Sequence, residues 1–176
     1  MDIIKELGER QTILLIVSPM KYNERIEDVA LQLSGKKVGY ITLNKTFNAL
    51  TETFQKKGVD IANFVFVDGI SETIKEVSDS KQCFFINSPA ALTELSIVIS
   101  KLLKQGIEYL VFDSFTNLLV YQKRAPVTKF VLNTVAKTRS TKTKAVFFAV
   151  SVREQESLIQ ESSMFVDKVI DLSKVK

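Results

Sequence analysis

The sequence predicts an α/β fold in three layers, a doubly wound and mostly parallel sheet with helices on both faces, formed by residues 1–176 as a single domain. Two observations predict it. Uninterrupted apolar runs of strand length alternate with segments of helical period, and the connections between them are short, with no linker, repeat or low-complexity stretch. Composition sets the scale: 176 residues, 45% hydrophobic and 25% charged, suffice for one packed core and exclude a disordered chain.

Each element follows from its residues. Thr12 to Ser18 is a strand whose interior, Ile13 to Val17, is apolar without interruption, as a strand buried on both faces should be. Asn23 is the expected cap of a helix facing inward through Ile26, Val29, Ala30 and Leu33, and Ser34-Gly35 ends it. Lys37 to Leu43 is the second strand. Asn44 or Thr46 begins a helix with Phe47, Leu50 and Phe54 on one side and Gly58 past its basic end. Asn63 to Val67 is the third strand, followed by the Asp68-Gly69 turn, a short helix from Ser71 burying Ile74 and Val77, and a turn at Asp79-Ser80-Lys81.

Cys83 to Ile86 is the fourth strand, with a buried thiol. Ser88-Pro89 is a helix start, because proline there loses an amide that has no partner anyway. Leu92, Leu95, Ile99, Leu102 and Leu103 follow at helical spacing until Gly106. Tyr109 to Phe112 is the fifth strand. Pro126 opens a helix with Val127, Phe130, Val131 and Val135 inward, and Ala145 to Val150 and Lys168 to Leu172 are the last strands. Residues 154–163 read equally as helix or loop.

Several chemistries are excluded at once. One cysteine and no histidine leave no disulfide within the chain, no thiolate or imidazole metal site and no histidine base. The early apolar run Ile13 to Val17 is too short to span a bilayer and has neither the basic flank nor the cleavage site of a secretory signal, so the expectation is a cytoplasmic protein without membrane contact. The net charge of +4 conceals an asymmetry. Between Ser114 and Arg153 lie eight of the 24 basic residues and none of the 20 acidic ones.

In doubly wound sheets ligands bind beyond the carboxyl ends of the strands, which directs attention to Ser18, Asn44, Asp68, Asn87, Asp113 and Ser151. The most informative stretch is Tyr109-Leu110-Val111-Phe112-Asp113-Ser114. An aspartate at a buried strand end can orient magnesium beside a triphosphate, or it can cap the following turn. Asp68 also ends a strand, as a phosphorylatable aspartate does in receiver domains. Ser18-Pro19 stands where such a domain needs an acidic pair, so no magnesium pocket forms and the turn reading holds for Asp68.

Val111-Phe112-Asp113-Ser114, with its leucine-rich continuation, resembles the corresponding strand of the RecA superfamily, and within it the KaiC-like ATPases. Val38 to Leu43, Phe47 to Gly58 and Phe64 to Asp68 resemble the second strand, the next helix and the third strand of the same family, so the likeness extends over nearly the whole chain. It implies the RecA-like core of the P-loop NTPases. A phosphate-binding loop needs glycines to aim successive amides inward, a lysine and a hydroxyl. Ser18 to Arg25 has no glycine, Pro19 lacks an amide and Glu24 adds negative charge. Where the family carries glutamate after its second strand, this chain has Leu43-Asn44-Lys45, and Asn44 cannot accept a proton near neutral pH.

The resemblance therefore implies a degenerate nucleotide site with no catalytic residue and no metal ligand set. Its vestigial positions are Lys21, Asn44, Lys45, Asp113 and Ser114, and no cofactor is expected beyond weak binding of ATP and magnesium. The Leu-Asn-Lys ending and the missing loop look closest to archaeal domains of unknown function that share this core and occur in regulatory or signal-transduction proteins. The expected role is protein association, with itself or with an active partner. Two alternatives stand beside it. One is a nucleic-acid-binding module using the basic segment 123–153, where Lys137, Arg139, Lys142 and Lys144 cluster at a helix end and its turn; the same cations would also complement a helix dipole. The other is an NTP-binding subunit of a hetero-oligomeric ATPase.

Overall fold

The computed structural model describes residues 1–174. Seven strands, β1 (Thr12–Val17), β2 (Val38–Thr42), β3 (Phe64–Asp68), β4 (Cys83–Phe85), β5 (Tyr109–Asp113), β6 (Lys144–Val150) and β7 (Lys168–Asp171), form one sheet in the order β4-β3-β2-β5-β6-β1-β7. Every pairing among them is parallel. The strands β1 and β2 are buried at every residue, which is why they read as unbroken apolar runs.

Six helices cover the two faces: α1 (Ile3–Glu9), α2 (Tyr22–Gln32), α3 (Phe47–Lys56), α4 (Leu92–Lys104), α5 (Arg124–Arg139) and α6 (Glu156–Ser163). Alternate strand residues divide the core. Ile13, Leu15, Tyr40, Phe66 and Phe148 pack with α1, α2 and α3, while Leu14, Ile41, Phe112 and Phe147 pack with α4, α5 and α6. Right-handed crossovers explain the division. From β1 to β4 the chain steps across the sheet in one direction, and from β4 to β7 it steps back, so the helices change face with the direction of travel.

Local signals hold where they concern periodicity and turns. Gly58 and Gly106, at φ +80° and +73°, end α3 and α4 in a conformation that side chains with a Cβ avoid. Thr46 caps α3, its hydroxyl accepting from Ala49 N at 3.3 Å. Differences arise at helix starts. Asn23 lies inside α2, because a 3-10 turn at Pro19–Lys21 runs straight into that helix. After Ser88-Pro89 the chain makes a turn and α4 starts at Leu92; Glu94 accepts from the Asn87 side-chain amide at 2.9 Å across that turn. Pro126 is the third residue of α5, still within the first turn where its missing amide costs nothing.

Residues 71–73 form one 3-10 turn. Ile74 is consequently 69% exposed and Val77 half-buried, against the expectation of a short helix burying both. α1 is a further element that the reading above leaves out; Asp2 caps it through Lys5 N at 3.0 Å, and Ile3 and Leu7 are fully buried. Residues 156–163 are helical. None of the described helices is long and apolar enough to cross a membrane.

Asp68 is a structural carboxylate. It is fully buried, and its oxygens accept from Phe47 N at 2.6 Å, Ile70 N at 2.7 Å, Ser71 N at 2.9 Å and Ser71 Oγ at 2.5 Å. It joins the end of β3 to the N-terminus of α3, with both oxygens engaged and no face open to a phosphoryl donor. Asp68→Ala leaves these buried donors without an acceptor, and we expect it to lower the unfolding free energy by about 3 kcal/mol or more. Urea denaturation measures this; a loss under about 1 kcal/mol would show that the carboxylate is dispensable.

Candidate functional site

The chain leaves β2 toward β3 and leaves the adjacent β5 toward β6, in opposite directions across the sheet. One of the crevices for ligands in this architecture, beside that between β1 and β6, therefore lies beyond the carboxyl ends of β2 and β5. Thr42 and Asp113 are register partners at that point. Asn44 follows two residues after Thr42, and α2, entered from β1, points its first residue, Tyr22, into the same place.

Asp113 is fully buried and is approached by three side chains. Tyr22 Oη donates to Oδ1, and Tyr40 Oη donates to Oδ2 at 2.7 Å. Asn44 Nδ2 donates to Tyr22 Oη and to Oδ1, the latter at 3.3 Å. Leu43 N donates to the Asp113 carbonyl at 2.8 Å. Burial pushes the Asp113 carboxyl well above its ordinary value and pushes the Tyr40 hydroxyl up likewise, so Tyr40 stays a donor throughout the physiological range. The buried carboxyl is thus enclosed by phenols and an amide that belong to the protein itself.

The other expected site residues are placed around this cluster and not in it. Ser114 is buried, its Oγ 3.1 Å from Thr116 Oγ1 and 3.5 Å from Asn117 Oδ1. Asn117 in turn donates to the Leu43 carbonyl at 3.4 Å, which ties the segment after β5 to the end of β2. Lys21 lies on the turn between β1 and α2 and pairs with Glu24 at 3.0 Å, both well exposed. Lys45 has its backbone N–H bonded to Thr42 Oγ1 at 3.2 Å and makes no ion pair among the described residues. Of the strand-end residues, Asn44 and Asp113 meet. Asn87 turns to Glu94, and Ser151 stands exposed at the rim.

Tyr22 and Tyr40 are the members that the sequence reading does not single out. Tyr40 carried a usable signal, since a phenol in the middle of an otherwise apolar, buried strand needs a hydrogen-bond partner. Tyr22 carried none.

The basic segment is dispersed by the fold. Lys137 Nζ donates to Ser96 O at 3.2 Å, Ser96 Oγ at 2.7 Å and Ser100 Oγ at 2.9 Å, pinning α5 to α4. Arg139 pairs with Asp167 at 2.7 Å. Lys144 Nζ bonds the carbonyls of Leu7 and Gly8 at the end of α1. Arg139 and Lys142 are exposed, and of the four Lys142 alone has no ion pair or hydrogen-bond partner among the described residues. Three of the four cationic heads are therefore engaged with internal partners, in three different places.

No protein-family profile matches the chain, and no curated protein matches it. Among solved structures, a KaiC-like protein from the hyperthermophilic archaeon Pyrococcus horikoshii aligns with a TM-score of 0.67 at 14% identity, over 94% of this chain and 74% of that one. The likeness establishes a RecA-like, KaiC-type α/β fold.

Two outcomes check the assignments. Unfolded, the Asp113 carboxyl ionises near 3.8; folded, it keeps its proton to higher pH. Its contribution to stability is therefore full below about pH 4 and declines as pH rises toward the folded value. Relative to Asp113→Asn, which cannot ionise, the wild-type protein should lose stability between pH 4 and neutrality, as read by denaturation midpoints at a series of pH values. A gain over that range would contradict the burial argument. Lys137→Ala should cost about 1 kcal/mol, whereas Lys142→Ala should stay within about 0.5 kcal/mol of wild type; equal effects in thermal melts would refute the contrast.

Proposed function

We propose that this domain is a non-catalytic RecA/KaiC-like module that works by protein association in a regulatory setting, its nucleotide site closed by its own side chains. One observation carries the reading: the Tyr22 hydroxyl, with Asn44 behind it, occupies Oδ1 of Asp113. In a nucleotide hydrolase that carboxylate faces the magnesium of a bound triphosphate. Here Tyr22 takes its place.

The turn from β1 to α2 supports the same conclusion. It contains no glycine, Pro19 has no amide, and the Lys21 amide is spent on the Ser18 carbonyl at 3.1 Å. Too few amides are left to cradle a polyphosphate. The Lys21 ammonium is held by Glu24, and Asn44 offers an amide where a base would be needed. The residues do not fit a magnesium triphosphate, and no hydrolytic step can be derived from them. What the scaffold retains is a rigid sheet with two helical faces, suited to presenting a surface.

The nucleic-acid reading has less support, because Lys137, Arg139 and Lys144 are committed to partners within the protein. The reading as an NTP-binding subunit would use Lys45, which makes no ion pair among the described residues but binds phosphate poorly without a cradle of amides.

The test is direct. With magnesium and ATP, the purified protein should show no turnover above a protein-free control and no rise in melting temperature, since a ligand at a hundred times its dissociation constant adds about 2.7 kcal/mol and would be plain to see. ATP hydrolysis that is lost in Asp113→Ala and kept in Lys142→Ala would overturn the proposal.

A further inference from the structure

Beyond β5 and β6 the strand-end surface carries an open groove of about 940 Å³. It runs between the 3-10 helix Phe115–Val120, the start of α5 and the turn Arg153–Gln155. Val120 and Tyr121 line it and are 73% and 45% exposed. Lys123 and Arg124 stand beside them, and Glu154 is the sole carboxylate among its lining residues. Arg124 is shared with Glu161 at 3.5 Å, while Lys123 makes no ion pair among the described residues. The groove thus combines exposed apolar side chains with cations, and most of its lining residues fall in the 40-residue stretch that has no acidic residue.

The opposite chemistry lies on the segment between β3 and β4. Ile70 to Ser80 holds Glu72, Glu76 and Asp79 against Lys75 alone, and Asp79 is partly engaged through Phe85 N at 2.7 Å. At its centre Ile74 projects with 69% of its surface exposed. One exposed isoleucine is ordinary. An exposed isoleucine flanked by carboxylates, on a chain that also carries an apolar groove flanked by cations, forms a complementary pair.

We propose that this groove receives the Ile70–Asp79 segment of a second copy of the chain, with Ile74 against Val120 and Tyr121 and Glu72 or Glu76 facing Lys123. The inference rests on the reading of the domain as an association module and names its partner. A different acidic partner would satisfy the groove but leave the Ile74 segment without a role, whereas a second copy accounts for both surfaces. Because the two surfaces are different, the contact is head-to-tail, and each copy keeps one segment and one groove for further growth or ring closure. One loop in one groove is at the small end of specific interfaces, so the association is of micromolar strength or weaker, to an order of magnitude of about 10⁻⁶ M.

Sedimentation velocity without nucleotide tests this over a concentration series at low and high salt. Wild-type mass should rise with concentration and fall with salt. Ile74→Glu and Val120→Glu alter exposed residues, should keep the wild-type circular dichroism spectrum, and should each weaken self-association by about tenfold or more. Mixed in equal amounts they should form a dimer that does not extend, since each supplies the surface the other lacks. A peptide of residues 70–80 should bind wild type and fail to bind Val120→Glu. A monomer at every soluble concentration, undiminished association in both variants, or equally tight binding of an unrelated acidic peptide of the same charge would each overturn the proposal. ATP turnover leaves this contact standing and sinks the non-catalytic reading, whereas a monomeric wild type does the reverse.

Discussion

A carboxyl group with no exposure at the meeting point of two strand ends must be satisfied from within, or it raises the energy of the whole fold. Asp113 is satisfied by donors from α2, β2 and the turn after β2. That requirement fixes where α2 begins relative to the sheet, because its first residue must bring a hydroxyl to β5. It also turns the half-buried Asn44 side chain toward Tyr22 and Asp113. The organisation of the crevice follows from this one group.

The same economy operates on the far side of β2. Asp68, one strand over from Thr42 in the register, faces four donors from α3 and its own turn. The two strands that flank β2 therefore end in buried carboxyl groups whose hydrogen bonds are made within the protein. One anchors a helix start, and the other is covered by tyrosines. Both ends of this wall are thus held by internal hydrogen bonds.

Charge in the sequence and charge in space are different quantities here. Eight cations in succession suggested a phosphate-binding face, yet Lys137 bridges two helices, Arg139 meets a carboxylate near β7, and Lys144 caps α1. Lys137 and Lys144 are half-buried and spend their ammonium groups on oxygens of neighbouring helices, whereas Arg139 forms a surface ion pair. The cations that stay outward, such as Lys123 and Lys142, are separated along α5 and its flanks. A basic segment becomes a basic surface only when the fold leaves its heads without partners.

The amino-acid pattern alone determined the identity of most elements, since the periods of two and of 3.6 are properties of neighbouring residues and need no distant partner. Glycine and the Thr46 cap placed turns for the same reason. It also marked Asn44 and Asp113 as polar residues ending apolar strands. It did not reveal α1, whose seven residues are held by two buried side chains against α2, nor the exposure of Ile74, which depends on a turn too short to become a helix. Tertiary structure alone decided the strand order, the enclosure of Asp113 and the fate of each lysine. Tyr22 and Tyr40 stand 91 and 73 residues from Asp113, and Lys144 stands 137 from Leu7. A hydrogen bond over such separations exists only after the sheet has assembled.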